Sequence, residues 1–351
     1  MTSPLSLKHG GRTLVTYAFH EYNQNVRFFL RHGLAPNDKV DYTIVRNHVD
    51  WSGPVDASEP KELGSSLVKW IKRGNTATDF GAYSESLKQN DLDQYDYFVF
   101  VNSSVRGPFT QDGDTEHWST KFTKKLNDSV AIVGSTINYM DGIPHVQSMI
   151  MALDQRGLQI NMDAGVFLKE DRFVPKDTLI RQHEIQGSTN LLKVGYNMDC
   201  LVTAYQGKDW RRPVQHFYPS IPVHYDLWGD QRYWGHNLHP METVFFKTNR
   251  KYDSSNTIVP LMTEWYESKE WMNEVDPEAA REALALLEDD LHPAVDMVRG
   301  EEAIDSDRGY FEHGDTMGDQ KSSKLQYIVW ISLTATLAAL AITFMILWAK
   351  K

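Results

Sequence analysis

Strand-like and helix-like segments alternate between residues 12 and 205. Each strand-like segment is a short apolar run, and each helix-like segment carries apolar side chains at helical spacing. This alternation is typical of βαβ units, so we predict an α/β fold with a mostly parallel sheet and helices on both of its sides. The predicted strands are residues 12–19, 41–47, 95–101, 130–136 and 198–205, and the predicted helices are residues 21–34, 78–89, 117–126, 144–158 and 181–197.

Composition excludes several classes of protein. The chain has 351 residues, a formal net charge of −11 and one cysteine, Cys200. A nucleic-acid-binding domain normally carries a basic patch or stripe, so the acidic balance argues against a nucleic-acid partner. A single cysteine excludes both a disulfide framework within the chain and a zinc site built on paired cysteines.

The segment 327–348 is apolar and contains no charged residue, and its length suits a helix that crosses a bilayer. Trp330 and Trp348 lie near its ends, as in the aromatic belts of membrane helices. We predict a single-pass C-terminal membrane anchor rather than a buried core helix. Because the N-terminus has no secretory signal, we expect a cytosolic body. The predicted parts are a globular domain 1–260, a helical extension 261–298, an acidic linker 299–326 and the anchor 327–348.

Polar residues follow directly after the apolar run Tyr95–Val101. They are Asn102, Ser103 and Ser104, with Arg106 two residues later. Ligands of parallel α/β sheets bind just beyond the carboxyl ends of the strands, so this tip is a candidate binding site. Small polar residues at a strand end are equally typical of an ordinary turn.

Asn75, Asp79 and Tyr83 surround the start of a predicted helix. Asp79 either caps this helix or lies near the sheet edge, where its carboxylate holds a ribose or a base. The chain has no glycine-rich phosphate loop of the two common kinds, no nucleophile elbow and no His-Glu-x-x-His sequence.

A second dense polar stretch is HNLHPMETVFFKTNR. His239 and Glu242 precede its apolar run, and Lys247 and Arg250 follow it. These residue types suit a metal ligand, a general base, or cations that face phosphate oxygens. A structural histidine is the alternative.

Six blocks between residues 12 and 250 resemble, in order, a group of nucleotide-sugar glycosyltransferases. This group is related to the rhamnan-synthesis type and occurs in bacteria, algae, fungi and large DNA viruses. The resemblance implies a GT-A-type αβα sandwich with a Rossmann-like nucleotide half and an acceptor half. The blocks are TYAFHEYNQNVRFFLRHGL, NTATDFGAYSESL, YDYFVFVNSSVRGPF, PHVQSMIMALDQRGL, GYNMDCLVTAYQGKDW and LHPMETVFFKTNR.

The resemblance also implies roles for individual residues. In GT-A enzymes an Asp-x-Asp motif holds a divalent ion against the diphosphate of the sugar donor, and here Asn102, Ser103 and Ser104 take that place. Either Mn²⁺ or Mg²⁺ binds more loosely, through Asn102, Ser104 and His239, or cations offset the diphosphate charge. Those cations are Arg106, Lys247 and Arg250. The remaining expected donor-binding residues are Tyr17, Phe19 and Glu21 at the base, Asp79 and Tyr83 near the ribose, and Asn75 and Arg46.

The expected reaction moves a sugar from a nucleoside-diphosphate sugar to a hydroxyl of a glycan or glycoconjugate, as in polysaccharide biosynthesis. A side chain that accepts the proton of this hydroxyl is needed, and the candidates are Glu184, Asp163, Glu242 and Asp209. Two alternatives remain open. One is a non-catalytic adaptor that binds nucleotide sugars or carbohydrate and keeps the fold. The other is a tail-anchored tethering protein with no role in sugar chemistry.

Overall fold

The computed structural model describes residues 11–48, 62–111, 113–250 and 253–274. The predicted linker 299–326 and anchor 327–348 lie outside these residues, as does the helical extension beyond residue 274. No helix among the described residues is long and apolar enough to cross a membrane. The chain divides into two units, Met1–Glu264 and Trp265–Lys351.

A large sheet forms the centre of the first unit. The described strands are β1 Thr13–Phe19, β2 Val40–Arg46, β3 Glu62–Leu63, β4 Ser66–Lys72, β5 Tyr97–Asn102, β6 Val105–Arg106, β7 Val130–Gly134, β8 Ile137–Met140, β9 Ile143–Val146, β10 Ile150–Asp154, β11 Asn197–Cys200 and β12 Phe246–Lys247. The strand order of the large sheet is β11-β7-β10-β5-β1-β2-β4-β3. Two two-stranded ribbons, β6 with β12 and β8 with β9, accompany it.

The sheet is mostly parallel, which confirms the predicted α/β class. Strand β1 pairs in parallel with both β2 and β5, β2 pairs in parallel with β4, and β7 pairs in parallel with β11. Strand β10 runs antiparallel between β5 and β7, and β3 runs antiparallel to β4. Every residue of β1 and β2 is buried, so both faces of these strands are covered, as in an α/β sheet with helices on each side.

The helices connect these strands. Helix α1 continues as a π-helical segment, Phe29–Gly33, and a second π-helical segment, Leu179–Ile185, leads into α6. The described α-helices are α1 Gln24–Phe28, α2 Thr78–Gln89, α3 Thr120–Thr123, α4 Gln155–Asp163, α5 Lys176–Thr178, α6 Gln186–Lys193, α7 Pro240–Thr243 and α8 Asp253–Glu274.

The predicted helix 144–158 is wrong. This segment forms β9, a turn, and β10, and α4 begins only at Gln155. The run Ile150–Asp154 is fully buried between β5 and β7, where its backbone groups pair with both neighbours. A short run that is buried and mostly apolar suits a doubly covered strand as well as a buried helix, and its place in the sheet decided between them.

Candidate functional site

The order of the strands reverses between β1 and β5. The chain builds β2 and β4 on one side of β1 and then crosses to place β5 on the other side. Such a reversal opens a crevice beyond the carboxyl ends of the strands, where open α/β sheets bind ligands. Asn102, the last residue of β5, is paired there with Ala18 of β1. Strand β10 starts at the same edge because it is antiparallel, which brings Ser148 beside Asn102.

Asn102 is held by contacts on both sides of its amide. Its Nδ2 donates to Asp79 Oδ2 at 2.9 Å. Its Oδ1 accepts from the backbone nitrogen of Ser104 at 3.0 Å and from Ser104 Oγ at 2.6 Å. The tip of β5 is thereby a tight turn closed by its own side chains, with Asn102 oriented toward helix α2.

Asp79 lies in the first turn of α2, and Ala77 is the N-cap residue. Asp79 Oδ1 accepts from the backbone nitrogen of Phe80 at 3.1 Å, while Oδ2 accepts from Asn102 at 2.9 Å and lies 2.8 Å from Ser148 Oγ. One oxygen therefore stabilises the helix start and the other joins the site. Thr78, just before it, has a φ of 46°, an unfavourable backbone conformation of the kind that clusters at functional sites.

Ser148 joins Asp79 to a second carboxylate, Glu184. Its hydroxyl lies 2.6 Å from Glu184 Oε2, and its backbone nitrogen donates to the same oxygen at 2.8 Å. Tyr83 holds the backbone of Ser148 in place, because its hydroxyl donates to the carbonyl of Ser148 at 2.9 Å. A serine hydroxyl has one proton and can donate to only one of the two carboxylates. The pair therefore keeps acceptor capacity for a ligand hydroxyl. We call Asp79, Asn102, Ser104, Ser148 and Glu184 the carboxylate cluster.

Two basic groups adjoin the carboxylate cluster. Buried His145 places Nε2 3.9 Å from Glu184 Oε1. Burial lowers the pKa of His145, and Glu184 opposes this shift. Burial and then Arg250 lower the pKa of Lys247, whereas Glu184, Asp226 and Asp79 raise it. Lys247 is thus within electrostatic range of both carboxylates, and an anionic ligand close to it would raise its pKa.

All three predicted phosphate-binding cations have protein partners, and Lys247 Nζ lies 3.4 Å from Met149 Sδ. Arg250 forms an ion pair with Asp226, which also accepts from Asn138 at 2.6 Å. The guanidinium of buried Arg106 spans three segments of the chain. It donates to Asn25 Oδ1 at 2.9 Å, to Gln24 Oε1 at 2.9 Å and to Thr263 Oγ1 at 3.0 Å. Arg106 therefore ties β6 to helix α1 and to helix α8.

Asn25 supports the tip of β5 from behind. Its Nδ2 donates to the carbonyl of Ser103 at 2.9 Å and to Thr248 Oγ1 at 2.6 Å, and its Oδ1 accepts from Arg106. The side chain is buried, so these bonds are shielded from water. Asn25 thereby fixes the position of the turn that contains Ser103.

The remaining residues expected to bind the donor differ in burial: some are covered by the protein and others are exposed to solvent. Tyr17 is fully buried, and its ring stacks on Phe29 at a centroid distance of 3.9 Å. Phe19 is buried at the end of β1, and Arg46 at the end of β2. The side chains of Glu21 and Asn75 are exposed.

Of the four candidate proton acceptors, only Glu184 contacts the carboxylate cluster. Asp163 is exposed and accepts from Gln159, and Asp209 is paired with Arg211 and Arg212. Glu242 accepts from the backbone nitrogen of Thr203 at 2.8 Å and from the hydroxyl of Tyr233 at 2.9 Å.

The predicted metal ligands do not form a ligand set. His239 caps helix α7, where its Nδ1 accepts from the backbone nitrogen of Met241 at 3.2 Å. Asn102 Oδ1 is occupied by two donors from Ser104. Within the described parts of the chain, no group of three histidine, cysteine, aspartate or glutamate side chains is placed to hold a metal ion. The residues expected to bind the ion therefore do not fit it in this arrangement.

Three residues of the site did not emerge from the sequence. Ser148 and His145 fall in the segment 144–158, for which the sequence predicts a helix, whereas His145 lies in β9 and Ser148 lies just before β10. The sequence assigns no role to Asn25. The available signal was the polar pair Gln147-Ser148 directly before an apolar run, which is the pattern of a strand that starts at a ligand-binding edge.

Comparisons with known proteins add no family to this geometry. No protein-family model matches the chain, and no curated protein sequence matches it significantly.

Proposed function

We propose that the chain is a glycosyltransferase with a GT-A-like fold. It moves a sugar from a nucleoside-diphosphate sugar to a hydroxyl of a glycan or glycoconjugate, and residues 327–348 hold it at a membrane. One observation carries the proposal. The polar tip of β5 lies at the reversal of strand order, where Asn102 is hydrogen-bonded to the carboxylate of Asp79. The hydroxyl of Ser148 lies between that carboxylate and the carboxylate of Glu184. The resemblance of the sequence blocks supports the same assignment.

The donor diphosphate binds beyond the tip of β5. The negative charge of the diphosphate raises the lowered pKa of Lys247 and so favours its ammonium form. The N–H and hydroxyl groups of Ser104 are donors once they turn from Asn102 to the ligand. Asp79 accepts from a sugar or ribose hydroxyl. Because the predicted metal ligands are not assembled, no step is assigned to a divalent ion.

Glu184 accepts the proton of the acceptor hydroxyl. As the O–H bond breaks, the oxygen forms a bond to the anomeric carbon, and the bond from this carbon to the diphosphate breaks. The nucleoside diphosphate leaves with the electron pair. Glu184 suits this role because it is the candidate proton acceptor within the cluster, and its Oε2 accepts from the backbone nitrogen of Ser148 and lies 2.6 Å from Ser148 Oγ.

Thermal-shift measurements with UDP- and GDP-sugars, each with and without Mn²⁺, test donor binding by the full chain. We expect Asp79→Asn to weaken binding about tenfold, the effect of one lost charge-assisted hydrogen bond. We expect Glu184→Gln to bind the donor normally and to release nucleoside diphosphate about 100-fold more slowly. Asp93→Asn is the matched control, because Asp93 lies before β5 at the opposite edge of the sheet. Normal turnover in both site variants would remove the assignment.

The substitution of Asp-x-Asp by Asn-Ser-Ser favours a second candidate, a non-catalytic binder of nucleotide sugars. This candidate predicts a thermal shift with sugar nucleotides but no release of nucleoside diphosphate with any acceptor. Release that depends on Glu184 would exclude it.

A further inference from the structure

A tight hairpin presents Trp234 at its tip. The backbone nitrogen of Tyr233 donates to the carbonyl of His236 at 2.9 Å, and the nitrogen of His236 donates back to Tyr233 at 3.0 Å. Between them Trp234 has a φ of 50° and Gly235 a φ of 83°, which is the pattern of a type I′ turn. The first central position of this turn favours asparagine, aspartate or glycine, because a bulky residue with positive φ is strained.

The strained residue is also exposed. Trp234 has 48% of its surface accessible, among the largest exposed fractions of an aromatic side chain in the described residues. Its ring contacts three tyrosine rings at interplanar angles of 64° to 86° and centroid distances of 5.0 to 5.8 Å: Tyr205, Tyr218 and Tyr233. Edge contacts of this kind fix the orientation of a ring without covering it completely.

The support beneath the ring is itself anchored. The hydroxyl of Tyr233 donates to Glu242 Oε1 at 2.9 Å, and Glu242 also accepts from the backbone nitrogen of Thr203. The hydroxyl of Tyr218 donates to the carbonyl of Ala204. The ring of Trp234 is therefore held on a rigid base, which limits the entropy lost when it binds a ligand.

Exposed polar side chains flank Trp234 in the chain. They are Gln231, Arg232 and His236, which belong to the same turn region. An oriented aromatic ring with amide, guanidinium and imidazole groups in the same turn region matches a sugar, which has one face of C–H groups and a rim of hydroxyls. The net charge of −11 disfavours a nucleic-acid base as the stacking partner.

We propose that the Trp234 hairpin is a carbohydrate-binding platform on which a sugar ring of the acceptor glycan stacks. The statement that the bound sugar belongs to the acceptor rests on the proposed function, whereas the statement that the hairpin binds carbohydrate does not. The strain at Trp234 is retained because asparagine or glycine would suit the turn but would offer no ring to the sugar.

The test is calorimetric titration of the full chain, in a detergent without a sugar head group and without any nucleotide. The probes are cellohexaose, xylohexaose, mannohexaose, laminarihexaose and chitohexaose. We expect saturable binding of at least one probe. Trp234→Asn should weaken it about tenfold or more, as for a central aromatic contact, while Trp234→Phe should retain most of the affinity because it keeps a flat ring. Phe173→Asn is the matched control, since Phe173 is an exposed aromatic residue outside the hairpin.

A cooperative unfolding transition of each variant shows that it is folded. No binding of any probe, or unchanged binding in folded Trp234→Asn, would overturn the proposal. The readout does not depend on sugar transfer. If the protein binds a hexasaccharide through Trp234 but releases no nucleoside diphosphate, the platform stands and the proposed enzyme activity is wrong. If it releases nucleoside diphosphate but binds no hexasaccharide, the enzyme activity stands and the platform is wrong.

Discussion

His117 should make the protein less stable in acid. The imidazole is buried between Tyr42 and Ser119, and its Nε2 lies 2.7 Å from the hydroxyl of Tyr42. Its Nδ1 lies 2.7 Å from the hydroxyl of Ser119 and 3.2 Å from the backbone nitrogen of the same residue. Burial removes the imidazole from water, which disfavours the charged form and lowers the pKa of His117 from 6.5 to about 4.

The sign follows from proton uptake. Below pH 6.5 the unfolded chain binds a proton at His117, whereas the folded chain does not until the pH approaches about 4. Folding stability therefore falls as the pH falls through this window and is fully present above it. A difference of about 2.5 pKa units corresponds to about 3 kcal/mol.

Urea unfolding followed by tryptophan fluorescence between pH 4 and 7.5 measures this loss. We expect His117→Gln to remove about 3 kcal/mol of the pH dependence, whatever its stability at neutral pH. The titration of His145 contributes the same pH dependence to the wild type and to His117→Gln, so it cancels when the two stability profiles are compared. His20→Gln, at an exposed position, is the control and should keep the wild-type slope because His117 is intact. Identical pH profiles for wild type and His117→Gln would refute the reasoning.

Two further substitutions test the scaffold of the site. A Cβ atom on Gly107 would lie 2.4 Å from the carbonyl oxygen of Val244, and its φ is 153°, so Gly107→Ala should destabilise the fold by about 2–4 kcal/mol in urea unfolding. Gly165→Ala, with positive φ but open space around it, should cost only about 1 kcal/mol, and equal losses would contradict the steric argument. Asn25→Ala removes the bond to the carbonyl of Ser103 and should raise the dissociation constant for the sugar nucleotide about tenfold. Unchanged affinity in a folded variant would show that Asn25 does not position the turn.

The sequence by itself determined the class of the fold. Runs such as Thr13–Phe19 and 97–101 are mostly apolar because strands inside an α/β sheet are covered on both faces, and this signal is local. The start of α2 and the polar residues after β5 were equally readable, since capping and turn chemistry depend on neighbours in the chain. The sequence pattern predicts a loop region where Ser66–Lys72 forms β4, although the burial of this segment alternates like that of a strand with one covered face.

Only the tertiary structure decided which polar groups meet. The direction of β10 brings Ser148 to the edge where Asn102 lies, and the crossing of the chain from β4 to β5 creates the crevice. The same packing separated Glu184 from Asp163, Asp209 and Glu242, which are equivalent as residue types in the sequence. Hydrogen bonds between carboxylates and hydroxyls act over about 3 Å, and distances on that scale between residues far apart in the chain are set by strand order and packing. Local sequence patterns do not contain that information.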